Sequence, residues 1–221
     1  GNYMLGKGGN VNFIVTQSPL KSTIEDFWRV VVLNNVQTVI GRCPFTAGFC
    51  QIERLSSDCL KYFPLYTNQE VRTAGFAVRC VSVSNVNSLF RESILAISCA
   101  QKDEVIHNIR HIYVYSWPDH STLASEKQKL LLSMVLQMQK GLQEKPECPV
   151  LVHCTAGVGL SGVLLSIFDL YNDFLSQPQE TSAGFFSVYD TVFRLRQMRP
   201  FIVQTHGQYV FIYKFIDNFL K

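Results

Sequence analysis

No two of the seven cysteines (Cys43, Cys50, Cys59, Cys80, Cys99, Cys148 and Cys154) form a CxxC pair, and their number is odd. Such scatter suggests neither a disulfide framework nor a zinc site. A reducing compartment, cytoplasmic or cytosol-facing, fits it best. There is also no dense run of lysine and arginine, and a net charge of +3 with a pI near 8.5 is too mild to imply nucleic acid. Internal repeats, Pro/Ser-rich linkers and a signal-peptide pattern are missing as well. Charged residues are only 17% of the chain, yet 47% are hydrophobic, with 16 Phe and 9 Tyr, which excludes a disordered chain. The 221 residues suit a single domain able to bury a core without covalent staples. A start at Gly1 rather than Met leads us to expect a boundary there, not a biological terminus.

One stretch has the length of a membrane span. Pro149 to Phe168 contains no Asp, Glu, Lys or Arg. It also holds His153, Thr155, Ser161, Ser166, Gly157, Gly159 and Gly162, so a short buried strand, a glycine-rich loop and a helix explain it better. Capping boxes are expected at Ser22-x-x-Glu25 and Ser125-x-x-Gln128, each opening an amphipathic helix. The Met134 and Met138 stripe on the second helix reads as core. Strand-like runs lie at Asn12–Gln17, Val36–Cys43, Phe76–Val83, Ile94–Ser98 and Ile109–Ser116. Beyond Val150 a buried strand precedes helical segments near 162–175, 186–198 and 205–220. These elements predict an α/β domain, a twisted mixed sheet flanked by helices.

The chemistry concentrates after that buried strand. Val150-Leu151-Val152-His153 ends at Cys154, and Thr155-Ala156-Gly157-Val158-Gly159-Leu160-Ser161-Gly162 turns into a helix. Glycines there let backbone N–H groups converge into an anion nest at a helix N-terminus. A cysteine facing such a nest is favoured as thiolate and suits attack on a phosphate ester. Alone, the pattern is better explained as an ordinary turn beside an inert cysteine. Two further motifs accompany it. Ser116-Trp117-Pro118-Asp119-His120 follows a strand and could carry a general acid on a mobile loop, and Gln204-Thr205-x-x-Gln208 lies downstream.

Together these motifs resemble those of the classical protein tyrosine phosphatases. The similarity extends along nearly the whole chain through Thr16-Gln17-Ser18-Pro19-Leu20, Thr23-Ile24-Glu25-Asp26-Phe27-Trp28-Arg29, Tyr62-Phe63-Pro64 and Leu195-Arg196-x-x-Arg199-Pro200. The resemblance implies one phosphatase-like domain over 1–221, with the N-terminal part of the family domain outside the chain. It implies Cys154 as nucleophile with His153 behind it, and Asp119 as the acid for the leaving tyrosine. Gln204 would place the hydrolytic water with Gln208 beside it, and Ser161 would ease thiolate departure. Thr155, Ala156, Gly157, Val158, Gly159 and Leu160 occupy the phosphate-binding loop, and Glu53 the place of a glutamate that braces the loop arginine. No cofactor and no metal are implied.

The chain also departs from the family. Its signature ends Arg-Ser/Thr-Gly, where this sequence has Leu160-Ser161-Gly162. Arginine offers phosphate a bidentate charged fork; leucine offers no donor and, as expected from position alone, an apolar tip aimed at the anion. Truncating a buried charge contact costs roughly 2–5 kcal/mol, and losing a preorganised transition-state donor costs about 10²–10³ in rate. Asp58, Ser121 and Leu123 are further departures, and Gly1–Gly9 preserves little of the loop that grips phosphotyrosine in the family.

Three functions compete at this level. One is a pseudophosphatase, a degenerate member that binds a protein partner, with or without phosphotyrosine. The second is a slow but genuine phosphatase using Cys154 and Asp119 with a substitute cation, for which Arg29, Arg196 and Arg199 are candidates. The third is a regulatory scaffold whose pocket is unused. His107 and His111, spaced i, i+4, fall in a strand-like run and carry little weight as metal ligands. Cys43, Cys50, Cys80, Cys99 and Cys148 read as packed apolar side chains; His120 and His206 read as rim residues.

Overall fold

The computed structural model describes residues 1–6, 9–42, 61–84, 86–102, 104–117, 122–176 and 187–219. Its elements run β1 (Asn2–Leu5), β2 (Val11–Gln17), α1 (Ile24–Leu33), β3 (Thr38–Gly41), β4 (Glu70–Arg72), β5 (Phe76–Ser84), β6 (Phe90–Cys99) and β7 (Val105–Val114). They continue with α2 (Ser125–Glu144), β8 (Val150–Cys154), α3 (Gly159–Leu175), α4 (Val188–Met198) and α5 (His206–Phe219). The strands form one mixed sheet in the order β1-β2-β8-β3-β7-β6-β5-β4. Pairing is parallel through β2, β8, β3 and β7 and antiparallel toward both edges.

β8 lies between two partners at the centre, and all five of its residues are buried. That explains its unbroken apolar run, since a parallel strand covered on both faces needs no polar alternation. The period of two still sorts its side chains. Val150, Val152 and Cys154 join the apolar cluster under α2, α3, α4 and α5, whereas Leu151 joins the cluster under α1. Met134 and Met138 are buried in the first cluster, as their stripe predicts.

Neither capping box forms. Thr23 stands at the α1 N-cap without a side-chain bond, and Glu25 instead accepts from the Gly75 amide at 2.9 Å. Ser125 is already helical, and Gln128 is buried, accepting from Asn218 Nδ2 at 3.3 Å on α5. In both cases a tertiary contact captured the side chain that local geometry would have used. β1 and β4, short and with few buried residues, were not foreseen. β6 and β7 begin four residues earlier than expected, at Phe90 and Val105. β7 thus takes in His107, which contacts the Val36 carbonyl at 2.7 Å, and four residues of strand hold it about 13 Å from His111. No described helix is long and apolar enough to cross a membrane; the 149–168 stretch is β8, a loop and the start of α3. Cys80, Cys99, Cys148 and Cys154 are free thiols. Cys43, Cys50, Glu53, Asp58, Cys59, Asp119, His120 and Ser121 lie outside the described residues.

Candidate anion site at the end of the central strand

Cys154 ends β8 and is 4% exposed. Behind it runs a buried polar chain. His153 Nδ1 lies 3.2 Å from Ser18 Oγ, and its Nε2 lies 2.5 Å from Tyr62 Oη, which contacts His111 Nε2 at 2.8 Å. Gly41 on β3 makes room for this chain, because a Cβ there would strike both His153 Nε2 and Tyr62 Oη. Burial pushes the His153 pKa down to about 3, opposed by a hydrogen bond to the Cys154 backbone. His111 is driven well below its usual range by burial and then by the neighbouring His153 and Arg91 charges, and burial drives Tyr62 well above its own. All three groups are therefore neutral near pH 7. One proton per bond suffices if His111 Nε2 donates to Tyr62, which donates to His153 Nε2. That leaves a bare acceptor at His111 Nδ1, the atom with no partner among the described residues.

The loop after Cys154 shows its carbonyls to the protein. The Ser18 amide donates to the carbonyls of Cys154 (2.8 Å) and Thr155 (3.2 Å), and the Val203 amide to that of Val158 (2.9 Å). Arg199 supplies the remainder, with Nη2 donating to Ala156 O at 3.0 Å and Nε to Gly157 O at 2.6 Å. In a planar trans peptide the carbonyl and the following N–H point in opposite directions. Five carbonyls turned outward thus turn the amides of Thr155, Ala156, Gly157, Val158 and Gly159 inward, at the N-terminus of α3. The path requires Gly157 at φ +70, where a Cβ would collide with the Thr16 carbonyl. A cradle of five amides on a helix N-terminus is suited to a multivalent oxyanion.

Leu160 is packed into the same apolar cluster as Cys154. It is 5% exposed and belongs to the apolar cluster that holds Trp117, Leu123 and Phe211. Burying such a side chain among hydrocarbon is worth roughly 2 kcal/mol for a leucine. Ser161 Oγ is fully buried with no hydrogen-bond partner among the described residues. Gln204 and Gln208 converge on the start of α3: a Cβ at Gly159 would lie 3.4 Å from Gln204 Oε1 and 2.8 Å from Gln208 Nε2. Gln208 is buried, and its Oε1 accepts from the amides of Gln204 (2.9 Å) and Thr205 (3.1 Å). Trp117 is buried edge-on against Phe211, with centroids 5.8 Å apart.

The three arginines considered as substitute cations are engaged elsewhere. Arg29 pairs with Asp26 at the surface, and Arg196 holds the carbonyls of Ile202 and Val203. Arg199 grips the outside of the loop. Sequence reasoning overlooked Arg42, the residue after β3. It is 6% exposed, with Nε donating to the Trp117 carbonyl at 2.9 Å and Nη1 donating to Thr155 Oγ1 at 3.3 Å. The available signal was its position, two residues beyond a β-branched run that could neighbour the cysteine strand.

Comparison with known proteins agrees with this architecture. The sequence profile described as protein-tyrosine phosphatase matches residues 1–218. Human receptor-type tyrosine-protein phosphatase eta is 31% identical over 214 residues, covering 96% of this chain and 14% of that protein. Human tyrosine-protein phosphatase non-receptor type 18 is 29% identical over 213 residues, covering 96% of this chain and 43% of that protein. The chain therefore spans well under half of either relative's length. The crystal structure of the human type 18 catalytic domain superposes with a TM-score of 0.83 at 27% identity, over 100% of this chain and 74% of that one. PTPN18 in complex with HER2 phosphopeptides superposes with a TM-score of 0.82 at 26% identity, over 100% and 71%.

Proposed function

Since this chain belongs to the protein-tyrosine phosphatase family, we propose that it is a catalytically impaired member that binds a protein partner through phosphotyrosine. The observation that carries the reading is an amide cradle left whole while Leu160, at the position of the family's phosphate-binding arginine, is buried in the core. Backbone donors alone can hold an oxyanion. Without the fork of an arginine on α3, they do so with less charge and less transition-state stabilisation. PTPN18 has been solved with HER2 phosphopeptides, and the same ligand class suits a cradle at the end of β8. The free thiols fit a cytosol-facing location.

A second reading, a slow phosphatase, is favoured by the reactive groups that remain. In it the Cys154 thiolate attacks phosphorus, Asp119 protonates the departing tyrosine oxygen, and Gln204 with Gln208 orients the water that cleaves the phosphocysteine. Ser161, in the first turn of α3, would then donate a hydrogen bond to the departing Cys154 thiolate.

The test combines binding and turnover. A phosphotyrosine peptide and its unphosphorylated form are titrated against the chain, and phosphate release is followed at high protein concentration. We expect binding that requires the phosphate and turnover at least about 10²-fold below that of Leu160→Arg. Turnover by the parent that Cys154→Ser abolishes would establish the slow enzyme instead. Equal binding of both peptides would move the partner surface away from this cradle.

A further inference from the structure

The register of the sheet brings one charge to the cradle that the signature motif does not contain. β3 and β8 pair in parallel with Gly41 opposite His153, and the Arg42 amide donates to the His153 carbonyl at 3.0 Å. Arg42 therefore leaves the sheet beside Cys154, at the carboxyl ends of parallel strands, where open α/β sheets bind their ligands. Its guanidinium lies against Thr155, the first residue of the loop, and against the backbone of Trp117, the first residue of the Trp-Pro-Asp segment. Arg199 approaches the loop from its carbonyl side and so cannot share this role.

We infer that Arg42 is the cation that meets the phosphoryl group in this site, supplying from β3 the charge that residue 160 does not supply from α3. The inference rests on the reading that the cradle binds phosphotyrosine, and it names the side chain that does so. The 3.3 Å contact to Thr155 Oγ1 is longer than the roughly 2.7–2.9 Å of a charge-assisted bond to an oxyanion. An arriving phosphoryl oxygen exchanges that neutral partner for a charged one, while the Nε bond to the Trp117 carbonyl stays in place. Anion binding and the Trp117 carbonyl are thereby linked through one guanidinium.

The experiment uses inorganic tungstate, a tetrahedral dianion, titrated calorimetrically against the full chain at low ionic strength. Arg42→Gln should weaken binding about tenfold or more, the loss usual for a buried charge contact. Arg42→Lys, which keeps the charge but not the fork, should lose less. Arg29→Gln removes the same charge from a surface pair and should stay within about twofold of the parent, since exposed pairs count for little. Binding by Arg42→Gln equal to that of Arg29→Gln would overturn the inference and leave the phosphotyrosine reading intact. Parent protein that binds no tungstate would remove both. Equal losses in Arg42→Gln and Arg42→Lys, each with a lowered Tm, would make Arg42 a structural brace and also overturn it.

Discussion

Lowering the pH from 7 to 5 should loosen this fold from the inside, starting at the histidine behind Cys154. His153 is 1% exposed, and burial holds its pKa at about 3, whereas the unfolded chain titrates near 6.5. Between those values the unfolded state binds a proton that the native state does not. Stability is therefore complete above about pH 6.5 and falls as the pH drops toward about 3. From pH 7 to pH 5 this group alone removes about 2 kcal/mol. His111, also pushed down by burial and by the neighbouring His153, acts in the same direction. Unfolded carboxylates titrate near 4 and contribute little in this window. Urea unfolding followed by tryptophan fluorescence at pH 7, 6 and 5 would measure the effect. With an m-value of about 3 kcal/mol/M, His153 alone moves the midpoint down by about 0.7 M. His111→Gln keeps a polar partner for Tyr62 and removes one titrating ring, so its midpoint should fall less over the same range. An unchanged midpoint between pH 7 and 5 would refute the reasoning, because both rings would then accept protons as readily folded as unfolded.

Gly157→Ala should cost about 3 kcal/mol, from an unfavourable positive φ and a Cβ driven into the Thr16 carbonyl. Its Tm should fall by about 6–12 °C, with tungstate binding lost; a Tm within 2 °C of the parent would contradict the loop path. Gly41→Ala should break the His153–Tyr62 contact, since the added methyl overlaps both groups, and should lower stability by roughly 1–3 kcal/mol in urea titrations. Gln208→Ala leaves the amides of Gln204 and Thr205 without their acceptor. It should cost about 1–3 kcal/mol, and faster hydrogen exchange at those two amides would identify the cause.

The strand, loop and helix around Cys154 were legible in the sequence because the determinants are local. An unbroken apolar run marks a buried strand, and glycines at 157, 159 and 162 mark a turn whose backbone approaches other groups closely. Hydrophobic periodicity likewise marked the major strands and all five helices found among the described residues. The capping boxes failed for the opposite reason: Glu25 and Gln128 had local partners available, yet groups 50 and 90 residues away claimed them. Similarly, a leucine in place of an arginine was visible at residue 160, but not its burial, which depends on a cluster that α2, α3, α4 and α5 help to build. Nor could the chain's order show that Arg42, 113 residues before Thr155, reaches its hydroxyl. Local sequence determined what could form at Cys154, a buried thiol at the start of a glycine-rich loop that runs into a helix. Only the parallel register of β3 on β8 decided which charge stands beside it, because strand pairing makes neighbours of residues that the chain keeps far apart.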